Sequence, residues 1–198
     1  MIRSLVALSL TMVLACDSLA APKLLEKPDF PIYLPTTEGM TLVYTLSSPD
    51  GSSTQSDRVK TVEMKEKSLT VTIERSNSHE MKSILRYQMT EEGLYRLKGD
   101  GSKTHRKIQL PFKPDETWDF IVDPDVKYTF TAKGKVKIKV PAGTFDTVCM
   151  ETKLPETLRE NFILRTWYAH GIGIVKEERV VDGKVTEVKE LSSITTAK

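Results

Sequence analysis

The chain has 198 residues, of which 39% are hydrophobic, 28% charged and 7% aromatic, and its 29 lysines and arginines against 27 acids leave a net charge of +2. That balance removes the electrostatic case for a nucleic-acid or strongly anionic partner, and the composition is too ordinary for a disordered chain. The length fits one domain, or at most a duplicated one, and past residue 16 no apolar run approaches the roughly 20 residues of a membrane-spanning helix.

Residues 1–20 read as an export signal. Arg3 supplies a positive start and Leu5 to Ala15 an apolar stretch of the expected length. Two endings compete. Ser18-Leu19-Ala20 offers small residues at the positions a signal peptidase reads, with cleavage before Ala21. Val13-Leu14-Ala15-Cys16 resembles a bacterial lipobox, which would end the signal at 15 and make Cys16 a lipidated N-terminus. Either ending predicts an exported protein, periplasmic or anchored and facing the periplasm, that meets a membrane only through a lipid on Cys16. Either ending also leaves Cys149 as the one mature thiol, so no intramolecular disulfide is available. Cys149 lies in Thr147-Val148-Cys149-Met150, a strand pattern without adjoining His or basic residues, and reads as a buried small hydrophobe. Residues 21–32 read as a tether, 33–191 as one β domain and 192–198 as a flexible tail.

From residue 41 onward the apolar period is two. Val126, Tyr128, Phe130 and Ala132 alternate with Lys127, Thr129, Thr131 and Lys133, and Val136, Ile138 and Val140 alternate with Lys135, Lys137 and Lys139. Similar runs occur at 58–64, 69–75, 82–89, 94–98, 105–110, 117–122, 145–152, 161–168, 174–181 and 184–190. Pro49-Asp50-Gly51, Gly99-Asp100-Gly101, Ala142-Gly143 and Asp182-Gly183 supply the turn chemistry of tight hairpins. Short helical turns are expected only at 22–27 and 155–160. The predicted fold is all-β: an antiparallel meander in a strongly curved sheet, a half-barrel or incomplete barrel.

One echo crosses the chain. Tyr33-Leu34-Pro35 with Thr41-Leu42-Val43-Tyr44 aligns without gaps on Gln109-Leu110-Pro111 with Thr117-Trp118-Asp119-Phe120, an offset of 110 − 34 = 76. Two sheets or half-sheets of similar build would explain it, and so would chance. The runs 84–87, 148–150 and 162–168 carry large apolar residues at both parities, so both faces should be covered. The cover is the sheet's own curl, the segment 24–34, an apolar ligand or a partner protein.

Known catalytic patterns are missing. His79, His105 and His170 are isolated, and no Gly-x-Ser-x-Gly elbow or Gly-rich phosphate loop occurs. Gly171-Ile172-Gly173 precedes a strand where a dinucleotide loop would precede a helix. Asp119, Asp123 and Asp125 lack the glycine and terminal glutamate of a calcium loop. Nothing asks for a cofactor or metal. A carboxylate pair stays open, because sequence does not show which acids meet. The lysines at 133, 135, 137 and 139 read as the solvent face of a strand.

Three segments carry a resemblance: Leu110 to Phe120 (LPFKPDETWDF), Val136–Val140 followed by Pro141-Ala142-Gly143-Thr144-Phe145, and Trp167-Tyr168-Ala169-His170-Gly171-Ile172-Gly173 running on to Val175-Lys176. Their order resembles a widespread group of exported bacterial proteins and lipoproteins of unknown function. His170 stands where that pattern usually has Pro, and Leu42 where it usually has Trp. The resemblance implies a curved or half-barrel antiparallel sheet with no known activity. In it Trp118, Pro141, Gly143, Phe145, Trp167, Tyr168, Gly171 and Gly173 are expected to serve architecture. Half-barrel lipid carriers of the LolA and LolB kind are a more distant analogy of shape. The expected function is a non-enzymatic envelope module that binds or assembles, with a lipid or an envelope protein as partner. A carrier holding a lipid or other apolar ligand in a concave sheet is the second reading, and a hydrolase with a carboxylate pair the third.

Overall fold

The computed structural model describes residues 28–196, apart from 66, 124–125 and 156–160. The expected leader, Cys16 and the two expected helical turns, save Pro155, lie outside the described residues. Twelve strands follow in order: β1 (Thr41–Ser48), β2 (Gly51–Lys65), β3 (Ser68–Asn77), β4 (Lys82–Thr90), β5 (Gly93–Leu97), β6 (Lys103–Gln109), β7 (Thr117–Asp123), β8 (Val126–Val140), β9 (Gly143–Lys153), β10 (Phe162–Ala169), β11 (Gly173–Val181) and β12 (Lys184–Thr195). All pairings are antiparallel, and the sheet order is β6-β5-β4-β3-β2-β1-β12-β11-β10-β9-β8-β7. The fold is an all-β, nearly closed barrel.

Every neighbour in that order is also a neighbour in sequence except β1 and β12. Two six-strand meanders are therefore joined edge to edge, β1 to β12. The first strand of one begins at Thr41 and of the other at Thr117, which is the 76-residue offset of the sequence echo. The join between β1 and β12 is a ladder running from Thr41↔Thr195 to Ser47↔Val188. Its counterpart, between β6 and β7, is a seam of side chains. Trp118 Nε1 donates to the Arg106 carbonyl at 3.0 Å, and Gln109 Nε2 donates to Glu116 Oε1 at 2.7 Å. His105 lies 5.2 Å from Phe120 and stacks on Phe130 at 5.7 Å. Closing the curve in this way buries apolar faces that an open sheet would leave wet.

All four expected turns join consecutive strands. Asp182 and Gly183 adopt φ of 48° and 74°, the paired positive angles that match the twist of a two-residue hairpin. β2, β8 and β12 extend well beyond single expected apolar runs. β2 begins at Gly51, because Ser52–Asp57 pair with β1 along the backbone ladder, with Ser52 Oγ adding a bond to the Leu46 carbonyl at 3.1 Å, and carry no period-two apolar signal. The runs 126–133 and 136–140 form one strand, β8, carried through a bulge between Ala132 and Gly134.

The expected tail is shorter than 192–198. Ser193, Ile194 and Thr195 pair with Val43, Leu42 and Thr41, so the joining ladder holds residues assigned to a tail on polarity. The expected cover is present in two forms. The sheet curls on itself, and Ile32, Tyr33 and Leu34 are buried against it, with the Gly171 amide donating to the Ile32 carbonyl at 2.7 Å. The run 84–87 is covered on one side only, for Ile84 is 56% exposed. The tip of the β8–β9 hairpin reaches β12, where the Ala142 amide donates to the Leu191 carbonyl at 3.0 Å. Lys133, Lys135, Lys137 and Lys139 are exposed on β8.

Candidate interior site

Strand alternation aims one face of each half-sheet into the barrel, and most of that face is apolar: Leu42, Leu69, Val71, Ile73, Met89, Leu94, Val148, Met150, Val175 and Leu191. Charged residues interrupt it at the same parity. On β3, Leu69, Val71 and Ile73 are followed by Arg75. On β2, Val59 is preceded by Asp57. On β12, Leu191 is preceded by Lys189. With Lys107 and Glu177 they line a cavity of about 160 Å³ whose remaining walls include Tyr44, Tyr87, Tyr168, Leu42, Ile73 and Leu94.

Asp57 and Arg75 stand opposite each other on β2 and β3. Arg75 Nε donates to Asp57 Oδ1 and Nη2 to Oδ2, both at 2.8 Å. Asp57 is only 4% exposed. The two-point contact with that carboxylate raises the Arg75 pKa against the opposing pull of burial. This pair is internally satisfied.

The other charges are not. Glu177 and Lys189 are cross-strand neighbours on β11 and β12. Lys189 is 5% exposed, yet its ammonium makes no hydrogen bond or ion pair among the described residues. It sits 4.4 Å from the centre of the Tyr44 ring. Lys107 likewise faces an aromatic ring, 6.0 Å from the centre of Phe130. Burial lowers the pKa of both lysines, and Glu177 counters it in both. Beside them Arg96 stacks at 4.9 Å on Tyr87, with Nη1 buried and without a hydrogen-bond partner. Burial raises Tyr44, Tyr87 and Tyr168 above the ordinary phenol range, so all three are neutral at physiological pH. Tyr44 spends its hydroxyl proton on the Ile174 carbonyl at 3.0 Å.

Few of the residues marked by sequence motifs reach this cavity. Tyr168 and Gly173 line it. Trp167, on the opposite face of β10, packs under Lys176 at 5.5 Å. Trp118 belongs to the β6–β7 seam. Pro141 and Gly143 form the β8–β9 turn, and Phe145 is half-buried beside it against the core. Gly171 takes positive φ at the β10–β11 turn, where its amide holds Ile32. Among the described residues no group of three His, Cys, Asp or Glu is placed to hold a metal ion. Burial pushes the Cys149 thiol up to about 11, which keeps it protonated and unreactive.

His105 ties this interior to the seam. Burial first, then Lys107 and Arg96, lowers its pKa to about 4. The unfolded value is about 6.5, so the fold holds the neutral ring. Its contribution is complete above about pH 6.5 and is lost as the pH falls toward 4. After discounting for partial exposure, the loss is on the order of 1–2 kcal/mol. Urea unfolding at pH 7 and pH 4.5 checks this: His105→Phe should lose less stability between the two than the wild type does. An equal loss in both would refute it.

No family model matches the chain, and no curated protein matches it by sequence. Solved structures do match. A Bacteroides fragilis protein described as exported, with a YmcC-like fold, superposes at TM-score 0.61 with 13% identity over 84% of this chain and 100% of its own. The chain has that fold. A protein from Parabacteroides distasonis described as a lipoprotein superposes at 0.59 with 15% identity and the same coverage. A chain of the Pseudomonas aeruginosa MucA/MucB complex overlaps at 0.40, with 12% identity over 80% of this chain and 52% of its own. At such identities the likeness is one of fold, and the interior charges are a matter for this sequence alone.

Proposed function

We propose that this is an exported cell-envelope protein that binds a ligand inside its barrel and breaks no bonds. The observation that carries the reading is Lys189, a residue 5% exposed whose ammonium makes no hydrogen bond or ion pair among the described residues, on the wall of a cavity that the half-buried Lys107 also lines. An unpaired cation in a low-dielectric interior costs stability, and a bound acceptor offsets that cost. The leader-like N-terminus supports export, and the two structural neighbours are described as exported or as a lipoprotein.

A cavity of about 160 Å³ is below the roughly 300–1,000 Å³ of drug-sized ligand sites, and its wall carries charge, so an acyl chain is a poor fit. One observation favours hydrolysis as a second reading: two carboxylates, Asp57 and Glu177, line the same cavity. Asp57, however, gives both oxygens to Arg75, which leaves Glu177 as the one carboxylate of the lining not committed in this way. Native mass spectrometry of the protein recovered from envelopes separates the readings. A co-purifying small molecule of unchanged mass after incubation supports binding. Its conversion to a product of different mass, abolished by Glu177→Gln, overturns the non-enzymatic reading. Palmitate labelling that disappears in Cys16→Ala places the anchor, and labelling that persists there refutes it.

A further inference from the structure

The interior polar groups define what ligand would satisfy them. Around the cavity three cations, Arg75, Lys107 and Lys189, meet two carboxylates, Asp57 and Glu177. Arg75 and Asp57 cancel within their two-point contact. Among the lining residues the remainder is two ammonium groups against Glu177, an excess of one positive charge; the Arg96 guanidinium, stacked on Tyr87, is not part of the lining. An ammonium has three donors and no acceptor, so its missing partner is an acceptor. Lys189, nine-tenths buried, presents these donors over the Tyr44 ring beside its cross-strand neighbour Glu177, with no hydrogen bond or ion pair among the described residues.

Size and wall chemistry narrow the class. A dry cavity of about 150 Å³ accommodates one benzene ring. The present one is of that order, and between its charged groups it presents Leu42, Ile73, Leu94 and tyrosine rings. An excess of one charge matches a monoanion better than a dianion. The guanidinium fork that would seat a phosphate is already taken by Asp57. We infer that the barrel interior is a binding site for a small monocarboxylate with an apolar body no larger than a single ring, its carboxylate held by Lys189 and Lys107 and its body by Tyr44, Tyr168 and Leu94. This rests on the binding reading above and gives it a ligand class.

Three probes test it by calorimetry on the full chain at constant pH 7 and ionic strength. Benzoate has charge and body, benzyl alcohol the body alone, and inorganic phosphate the charge alone. The expected result is a Kd of about 1 mM or tighter for benzoate, as a nine-atom ligand with good ligand efficiency allows, and weaker binding of the other two by about tenfold or more. Lys189→Met should weaken benzoate by about tenfold or more through loss of a charge-assisted contact, while Lys133→Met, on the exposed face of β8, should leave it unchanged. Should Lys189→Met fail to fold, intermolecular nuclear Overhauser effects in the wild type decide: contacts from benzoate protons to the Tyr44 and Tyr168 rings support the site, and their absence overturns it. Benzyl alcohol binding as well as benzoate removes the role of charge, and phosphate binding better removes the apolar body; each overturns the inference. A different molecule found by native mass spectrometry, with benzoate silent, overturns the ligand class and leaves the binding reading standing.

Discussion

Asp57→Ala should destabilise the fold by about 3 kcal/mol or more, the lower part of the 3–5 kcal/mol range for a buried ion pair stripped of one member. The Asp57 side chain is 6% exposed and that of Arg75 is 29% exposed, so the stranded guanidinium gains some relief from solvent but not enough to restore its hydration. Arg75 would be left among Tyr44, Tyr87, Lys107 and Lys189, and the excess positive charge of the interior would grow, because it loses one of two carboxylates while keeping all its cations. A domain of this size commonly holds about 5–15 kcal/mol, so the loss is a large share. The measurement is the urea midpoint with the slope held in common. Removing both partners as Asp57→Leu with Arg75→Leu should cost less than Asp57→Ala alone, because no unpaired charge remains. A single variant no worse than the double would show that the pair carries no net electrostatic weight.

That pair was legible only in part. Period two from residue 41 and the Asp-Gly and Ala-Gly turns specify the meander, since each strand must aim its apolar parity at a core and each hairpin needs positive φ. The 76-residue echo marks the starts of the two half-sheets, because Thr41 and Thr117 open equivalent strands. The ladder joining β1 to β12 is not visible in sequence: it unites residues about 150 positions apart through backbone groups that every residue carries. The site stayed hidden for a related reason. Each interior charge breaks an apolar parity, Leu69, Val71 and Ile73 running into Arg75 and Leu191 being preceded by Lys189, and one such break reads as a strand end. Only the closure of the sheet shows that five of these breaks meet. The aromatic motifs drew notice through their size, and size serves packing; of them Tyr168 and Gly173 alone reach the cavity.

Gly93→Ala should destabilise the fold by about 3 kcal/mol or more. Gly93 opens β5 at φ 143°, a conformation that costs an L-residue on the order of 1–3 kcal/mol. Its added Cβ would also run into the Ile108 carbonyl oxygen and lie 3.0 Å from the carbonyl carbon. Those atoms are backbone, so no side chain can swing aside. β6 itself must shift, and β6 carries the Arg106 carbonyl that receives Trp118 Nε1 across the seam. Gly134→Ala separates the two contributions: φ is 130° there, but nothing lies within 4 Å of the new Cβ. It should cost only the backbone strain, and Gly99→Ala, without positive φ or a near neighbour, should be close to neutral. Thermal unfolding ranks the three, and amide exchange locates the damage. In Gly93→Ala the amides of β6 and β7 should lose protection before those of the β1–β12 ladder, because the seam rests on side chains and the ladder on backbone bonds. Simultaneous loss at both joins would mean that the barrel opens as one unit and that the seam is no weaker than the ladder.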